Sequence, residues 1–406
     1  MKIVYAVHQF YPAYCSGTES VTYQLANMAQ MAGHRVAIVT YQPDRNIQNP
    51  ERMRDIWYKK RMYRKLSITE FYHQHLPLDM SYSVTNDETL TFAREYLKKE
   101  NPDILHVTHL MRVAPFIQTA KELGIPCVVT LTDAMAICPR IVLRDRNNRI
   151  CHGCEKGERC KKTCKELRDY PLRLEIVKEL LSDAVLVAAP SKYLADVIGR
   201  ELELNIKVFP HGIDFTRAKE KQQSHEPNRF VRLGWFGRLN EHKGLDVLLK
   251  AMRMVEAENL LLSIYGRGTK EYEDYLHSIS GNDSRIIWND WKSKDEIFDI
   301  YTMLDAVVVS SVCNESYSLV KNEAISCGVP VIVSNLGALP ENVIHEKDGI
   351  VFDPFNPEEL AQELSRIAND PSILKSMAEQ VRKRTIPSIE QEYFRYQAVY
   401  LDAIGR

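Results

Sequence analysis

The chain has 406 residues, of which 45% are hydrophobic and 26% charged, and its formal net charge is -1. This length favours two domains over one, and the near-neutral charge argues against bulk binding of nucleic acid. No segment approaches 18 consecutive apolar residues and the first residues lack the apolar core of a signal peptide, so we expect a cytoplasmic protein.

In the first half of the sequence, short apolar runs alternate with amphipathic stretches. The runs predict strands at Ile3–Val7, Val36–Thr40, Ile104–Val107, Pro126–Thr130 and Ala184–Ala188. Alternation of strand and helix is typical of a mostly parallel sheet that is covered by helices on both faces. We therefore predict a doubly wound, Rossmann-like N-terminal domain over residues 1–210.

Seven basic residues between positions 52 and 65 are interleaved with aromatic and apolar side chains. They are Arg52, Arg54, Lys59, Lys60, Arg61, Arg64 and Lys65. Basic and aromatic side chains together suit a peripheral contact with anionic lipid, such as the inner face of the plasma membrane. A solvated loop has the same composition, so the segment is either a membrane-contacting surface or an exposed loop.

Five of the nine cysteines are close together in the sequence. They are Cys138, Cys151, Cys154, Cys160 and Cys164. A cytoplasmic protein keeps its thiols reduced, and the two-residue gap between Cys151 and Cys154 is that of a zinc knuckle. We therefore predict a structural zinc site in a cysteine-rich loop over residues 138–164. Unliganded thiols and an iron–sulfur cluster are the alternatives.

The second half of the sequence repeats the strand-helix pattern after a polar stretch. Residues 220–228 contain no apolar run and predict a linker. The apolar runs beyond it predict strands at Val231–Phe236, Leu260–Tyr265, Ile286–Trp288, Ala306–Ser310 and Val329–Ser334. We therefore predict a second Rossmann-like domain over residues 211–388. The last helical segment, about residues 389–406, has an apolar stripe that must be buried on one of the two domains, and we place it on the first.

Two carboxylates follow the predicted strand that ends at Ser310. Glu315 lies in the loop after this strand, and Glu323 lies in the helix that the loop opens. In open α/β sheets, ligands bind at the carboxyl ends of strands, where a helix N-terminus offers N–H groups to an anion. The two carboxylates can accept hydrogen bonds from separate hydroxyl groups of one extended ligand. A solvated helix face is the alternative for this pair.

Three further residues suit a bound diphosphate. Arg238 and Lys243 follow the predicted strand that ends at Phe236, and a guanidinium with an ammonium can neutralise a diphosphate leaving group without a metal ion. Gly17, at the first strand-to-helix turn, allows the backbone to approach a phosphate closely. The alternative for Arg238 and Lys243 is that both are exposed to solvent. The alternative for the turn at Gly17 is simple capping of the first helix.

Five ordered motifs resemble those of glycosyltransferase family 4, whose members are retaining enzymes with the two-domain GT-B fold. The motifs are Ser16–Glu19, Pro210–Asp214, Gly237–Arg238 with Lys243–Gly244, Tyr265–Gly268, and Glu315–Glu323 followed by Cys327–Val331. The resemblance covers nearly the whole chain. It implies two Rossmann-like domains that face each other across a cleft.

The resemblance also implies a role for each candidate residue. Arg238 and Lys243 would hold the donor diphosphate, Glu323 the ribose hydroxyls, and Glu315 the hydroxyls of the transferred sugar. Gly17 would contact the phosphate. The backbone amides that complete the phosphate cradle would be those of Ser318, Leu319 and Val320. Retention in this family is ascribed to front-face attack in which the leaving phosphate takes the acceptor proton, so no catalytic metal is required.

His109 lies where the family often has a histidine near the transferred sugar, and we assign it a supporting catalytic role. A buried structural histidine is the alternative. Two positions depart from the family pattern. Ser316-Tyr317-Ser318 replaces a Gly-Phe-Gly core, which leaves less room for the backbone to approach the donor sugar. Thr132-Asp133 replaces a His-Asp pair, so the role of that histidine is not carried over.

The resemblance predicts a retaining glycosyltransferase that moves a hexose or N-acetylhexosamine from a UDP- or GDP-sugar to a glycan. The acceptor is expected to be lipid-linked, as in the synthesis of surface polysaccharides. Two other functions fit the same residues: a nucleotide-sugar epimerase of the same fold, and a non-catalytic protein that binds a nucleotide or a glycan.

Overall fold

The computed structural model describes residues 1–44, 47–75, 82–165, 169–214 and 230–405. The chain divides into two compact units. Unit 1 comprises Met1–His211 and Ile389–Arg406, and unit 2 comprises Gly212–Ser388. The linker predicted at residues 220–228 lies outside the described residues.

Unit 1 contains a nine-stranded sheet. Its strands are β1 (Lys2–Val7), β2 (Arg35–Tyr41), β3 (Glu51–Met53), β4 (Ile56–Tyr63), β5 (Leu66–His73), β6 (Ile104–Val107), β7 (Cys127–Thr130), β8 (Leu186–Ala189) and β9 (Lys207–Val208). The order across the sheet is β3-β4-β5-β2-β1-β6-β7-β8-β9. Neighbouring strands are parallel except in the pairs β3–β4 and β4–β5.

Helices cover both faces of this sheet. They are α1 (Gly17–Met31), α2 (Asp87–Glu100), α3 (Pro115–Leu123), α4 (Glu158–Thr163), α5 (Tyr170–Ser182) and α6 (Lys192–Leu202). Alternate residues of β1 enter two separate apolar clusters: Val4 and Ala6 belong to one, and Ile3, Tyr5 and Val7 to the other. Because successive side chains of a strand point to opposite faces, the sheet is buried on both.

Unit 2 contains a fully parallel six-stranded sheet. Its strands are β10 (Val231–Leu239), β11 (Leu260–Gly268), β12 (Ile286–Asn289), β13 (Ala306–Val309), β14 (Val331–Ser334) and β15 (Gly349–Phe352), in the order β12-β11-β10-β13-β14-β15. The helices are α7 (Leu245–Met254), α8 (Lys270–Ser280), α9 (Lys294–Tyr301), α10 (Leu319–Ser326), α11 (Pro357–Asn369) and α12 (Ser372–Val381). Each strand that the sequence predicts is present in the two sheets.

The C-terminal helix α13 (Ile389–Ala403) belongs to unit 1. Its Tyr400 hydroxyl lies 2.6 Å from Nδ1 of His106 on β6, and its Tyr396 hydroxyl lies 2.7 Å from Oγ1 of Thr130 on β7. The same Thr130 oxygen lies 2.8 Å from His106 Nε2. Burial lowers the pKa of His106 to about 3, so the ring is neutral. A satisfied buried network therefore holds α13 against the sheet.

The hairpin formed by β4 and β5 contains most of the basic segment for which the sequence predicts either a membrane-contacting surface or an exposed loop. Strand alternation sends adjacent basic side chains to opposite faces. Lys60 pairs with Glu100 at 3.2 Å, while the neighbouring Arg61 pairs with Glu70 at 2.7 Å. The basic residues of segment 52–65 therefore do not share one face. None of the described helices is both long and apolar enough to span a bilayer.

Candidate functional site

In unit 2, the carboxyl ends of β10 and β13 lie side by side at a switch point of the sheet. Strands β11 and β12 extend the sheet from β10 in one direction, and β14 and β15 extend it from β13 in the other. Doubly wound sheets bind ligands in the crevice that such a reversal leaves at the carboxyl ends of the strands. Lys243 follows β10 and Glu315 follows β13, so both lie at this edge.

Lys243 and Glu315 form an ion pair. Lys243 ends a 3₁₀ turn, Glu241–Lys243, that is capped by the side chain of Asn240. Its Nζ donates to Oε1 of Glu315 at 2.6 Å, and the hydroxyl of Ser311 donates to the same oxygen at 2.6 Å. Burial disfavours both charges, but their mutual attraction outweighs it, raising the pKa of Lys243 and lowering that of Glu315. Both residues are therefore charged at neutral pH.

Glu323 is held by a tyrosine on the neighbouring helix. The hydroxyl of Tyr301, at the end of α9, donates to Oε2 of Glu323 at 3.0 Å. Burial, followed by the charge of Glu323, raises the pKa of Tyr301 well above its usual value, so the phenol stays protonated and can donate. Glu323 and Glu315 thus have separate partners, Tyr301 and Lys243.

Two glycines with positive φ allow the loops at this edge to pack against each other. Gly244 has φ +61°, and a Cβ there would lie 2.0 Å from the carbonyl oxygen of Ser310. Gly337 has φ +60°, and a Cβ there would lie 2.5 Å from the carbonyl oxygen of Glu315. A side chain at either position would push away the backbone that carries the charged residues.

The first turn of α10 contains the predicted phosphate cradle. Ser318 caps the helix, with its side chain accepting from the N–H of Lys321, and has φ +67°, a conformation that favours glycine. Leu319 and Val320 are the first helical residues, whose N–H groups have no acceptor within a helix.

The sequence interpretation missed Lys321. Its buried ammonium donates to the carbonyls of Ala338, Leu339 and Glu341, and burial lowers its pKa to about 8.

Arg238 lies within β10, which continues to Leu239, and not after the strand as the sequence suggested. It is exposed and lies opposite Arg267 of β11 in the register of the two strands. Arg267 is 3.4 Å from a carboxylate oxygen of Asp290. The structure therefore places Arg238 on the same strand that leads to Lys243.

In unit 1, Gly17 begins α1, and His109 lies at the carboxyl end of β6. His109 Nε2 lies 2.7 Å from Oδ2 of Asp133, and its Nδ1 accepts from the N–H of Met111 at 3.0 Å. Nδ1 thus acts as an acceptor and Nε2 faces a carboxyl oxygen, so both nitrogens of His109 are engaged. Its ring stacks on His8, with centroids 4.0 Å apart.

The five clustered cysteines are all buried. Cys154 Sγ donates to Oε2 of Glu201 at 3.2 Å, and the same carboxylate accepts the N–H groups of Cys154 and Lys156. No disulfide joins any of the nine cysteines, all of which the structure describes. Within the described ranges, no group of three or more histidine, cysteine, aspartate or glutamate side chains is arranged to hold a metal ion. The predicted zinc ligands therefore share one region without forming a site.

Two family profiles match the chain. The profile described as Glycosyltransferase Family 4 matches residues 15–217, half of the chain, and the profile described as Glycosyl transferases group 1 matches residues 216–384. An uncharacterized glycosyltransferase of Methanocaldococcus jannaschii is 32% identical over 174 residues, 42% of each chain. A D-inositol 3-phosphate glycosyltransferase of an Arthrobacter species is 24% identical over 283 residues, 66% of this chain and 63% of that one. The chain thus spans between 42% and 63% of the length of these relatives.

Solved structures share the fold over almost the full chain. A glycosyltransferase from Rickettsia africae has a TM-score of 0.71 at 15% identity and covers 98% of both chains. An Anabaena protein solved in complex with UDP and glucose has a TM-score of 0.67 at 16% identity, covering 97% of this chain and 98% of that one. These likenesses confirm the predicted fold class, two Rossmann-like α/β domains of the GT-B type.

Proposed function

Since the chain belongs to glycosyltransferase family 4, we propose that it transfers a hexose or N-acetylhexosamine from a nucleoside diphosphate sugar to a glycan, with retention of configuration. The observation that carries the proposal is the Lys243–Glu315 pair at the switch point of unit 2. It combines a cation for a diphosphate with a carboxylate for sugar hydroxyls at the edge where doubly wound sheets bind ligands.

Each predicted donor residue has a role in this proposal. Lys243 and Arg238 neutralise the diphosphate, and the N–H groups of residues 318–320 bind its oxygens. Glu323 accepts from the ribose hydroxyls and Glu315 from those of the transferred sugar. The leaving phosphate takes the acceptor proton, so the reaction needs no protein base and no catalytic metal. The proposal also assigns Gly17 a contact with the phosphate and His109 a supporting role near the transferred sugar.

The melting temperature with UDP, GDP, ADP and their sugar conjugates tests the donor site. A ligand at 100 times its Kd stabilises a protein by about 2.7 kcal/mol. We expect a shift for UDP or GDP that is lost in Lys243→Ala and kept in Lys250→Ala. Lys250 is the matched control because it pairs with Asp246 on α7, one helical turn away.

The outcome also separates the other functions. A wild type without any nucleotide shift contradicts the proposed donor site. A shift accompanied by conversion of the donor sugar to its epimer, without an acceptor, identifies an epimerase. A shift without turnover of any donor identifies a binding protein.

We further propose a lipid-linked acceptor, as in surface polysaccharide synthesis, and peripheral contact with anionic membranes through segment 52–65. The pairing of Arg52 with Trp57, at 5.6 Å from guanidinium carbon to ring centroid, supports this, as does the 64% exposure of Met62. The test is sedimentation with phosphatidylserine vesicles. Binding that weakens with salt and with Arg52→Ala is expected. Equal sedimentation with neutral vesicles contradicts the proposal.

A structural zinc in the cysteine-rich loop 138–164 remains a proposal as well. The burial of all five thiols in one region supports it, whereas their present arrangement forms no metal site. Metal analysis of the purified protein decides the point. We expect about one zinc per chain, and less than about 0.1 equivalent of zinc or iron contradicts a resident metal.

A further inference from the structure

The switch point of unit 1 contains buried polar atoms that lack hydrogen-bond partners. The sheet reverses between β1 and β6, as it does between β10 and β13 in unit 2. His8 follows β1 directly, and among the described residues its Nδ1, Oε1 of Glu19 and Nη1 of Arg112 are buried without a hydrogen-bond partner. A polar atom that stays buried without a partner costs free energy, so each one calls for an explanation.

The side chains of His8 and Glu19 lie next to each other. His8 Nε2 lies 3.6 Å from Oε1 of Glu19, too far for a hydrogen bond, and the His8 ring stacks on that of His109. The charge of Arg112 acts on His8 from the loop after β6. Arg112 has φ +66°, which is strained for a residue with a side chain, and its guanidinium lies 5.3 Å from the ring of Tyr41.

The chemistry of His8 differs from that of its stacked neighbour. Burial, together with His109 and Arg112, holds the pKa of His8 well below its usual value, so the ring is neutral. The Glu19 carboxylate favours the proton on the nearer nitrogen, Nε2, which leaves Nδ1 as a lone-pair acceptor. His109, in contrast, has both nitrogens engaged by Met111 and Asp133. His8 is therefore the histidine of this pair that can accept a hydrogen bond from a ligand.

The surrounding groups also define the kind of ligand. Glu19 lies 3.6 Å from His8 and Asp133 lies 2.7 Å from His109, so two carboxyl groups flank the histidine pair, and the guanidinium of Arg112 acts on His8. Two unpartnered acceptors and one unpartnered donor suit hydroxyl groups, each of which donates and accepts. We propose that His8 Nδ1 accepts a hydrogen bond from a hydroxyl of the acceptor, and that the part of the acceptor bound here is an uncharged polyhydroxylated ring, a sugar or a cyclitol. This inference rests on the proposed transferase function.

Release of nucleoside diphosphate from the donor sugar tests the inference without an identified acceptor. The probes are free glucose, galactose, mannose, N-acetylglucosamine and myo-inositol, each added at saturating donor. We expect at least one probe to raise turnover of the wild type. His8→Phe keeps the stacked ring but removes both nitrogens, and it should lower kcat/KM for that probe about 5- to 100-fold while retaining the nucleotide melting shift.

Two variants show whether the hydrogen bond is the cause. His8→Asn places an acceptor oxygen near the position of Nδ1 and should recover part of the loss. His34→Phe makes the same change at a histidine that contacts Gln397 and precedes β2, and it should leave turnover unchanged. Unchanged probe kinetics in His8→Phe, an equal loss in His8→Asn, or a nucleotide-binding wild type that no probe stimulates would overturn the inference. A wild type without a nucleotide shift contradicts the proposed function instead.

Discussion

The carboxyl edges of the two sheets differ in how their polar side chains are satisfied. In unit 2, Lys243 pairs with Glu315, and Tyr301 donates to Glu323. In unit 1, the buried atoms His8 Nδ1, Glu19 Oε1 and Arg112 Nη1 have no hydrogen-bond partner within the described ranges. The edge of unit 2 therefore presents charged groups that already have internal partners. The edge of unit 1 includes, beside the engaged His109, polar atoms that still need partners.

This difference predicts two modes of ligand binding. A diphosphate at the edge of unit 2 must share or displace the Glu315 partner of Lys243, so binding there exchanges one charged contact for another. A hydroxyl at the edge of unit 1 supplies a first partner to atoms whose burial without one costs about 1–3 kcal/mol each. We therefore expect the donor site to depend on charge and the acceptor site on individual hydrogen bonds.

Removal of the Lys243 ammonium should have the largest effect. In the proposed mechanism, Lys243 stabilises the leaving diphosphate, and loss of one such group typically lowers the rate about 100- to 1,000-fold. Lys243→Ala should lower kcat/KM for the donor sugar to that extent in a steady-state assay. Lys250→Ala, on α7, should change it little, and equal losses in the two variants would contradict a charge-based donor site.

Two tyrosine hydroxyls of α13 allow the cost of a lost hydrogen bond in unit 1 to be compared with that of an unpartnered polar atom. The Tyr400 hydroxyl contacts His106, whereas the Tyr393 hydroxyl on the same helix is buried without a hydrogen-bond partner among the described residues. Tyr400→Phe should therefore lower the free energy of unfolding by about 1–3 kcal/mol. Tyr393→Phe should be neutral or stabilising.

Thermal or urea denaturation of both tyrosine variants measures the difference. Equal losses would mean that unpartnered hydroxyls in unit 1 have partners in solution. In that case the contrast between the two edges would not indicate a ligand site.

The fold could be predicted from the sequence because strands that are buried on both faces of a sheet consist largely of apolar residues. Strands β6 and β13 are examples. The hairpin of β4 and β5 was missed because Ile56–Tyr63 alternates aromatic and basic side chains on a partly exposed strand. The short strand β15, Gly349–Phe352, was missed as well, since four residues give little pattern.

The residues of the candidate site likewise divide into those that the sequence predicts and those that only the structure reveals. Lys243, Glu315 and Glu323 were recognised because their motifs are local in the sequence. Tyr301 and His8 were not, because their contacts arise only when separate elements pack together. Tyr301 lies 22 positions before its partner Glu323, and His8 is a single histidine after a strand, without a motif around it.

The Lys243–Glu315 pair should also give a pH dependence, smaller than its effect on rate. The lowered pKa of Glu315 stabilises the fold above its unfolded value, about 4.3, and that stability is lost as pH falls through the folded pKa. The raised pKa of Lys243 stabilises below about 10.4, and that stability is lost as pH rises through the folded pKa. The difference in melting temperature between wild type and Lys243→Met should therefore be largest between these values and narrow on both sides. A difference in melting temperature that does not change with pH would contradict a charged Lys243–Glu315 pair.

The smallest expected effect concerns backbone strain at Ser318, at the edge of unit 2. Ser318 has φ +67°, which costs a residue with a side chain about 1–2 kcal/mol, while replacing a serine cap by glycine costs only a few tenths. Ser318→Gly should therefore raise the free energy of unfolding by about 0.5–1 kcal/mol. The matched variant Ser316→Gly, where φ is not positive, should lower it by a similar amount, because glycine adds freedom to the unfolded chain. If denaturation shows the same sign for both variants, the backbone conformation of Ser318 is not strained.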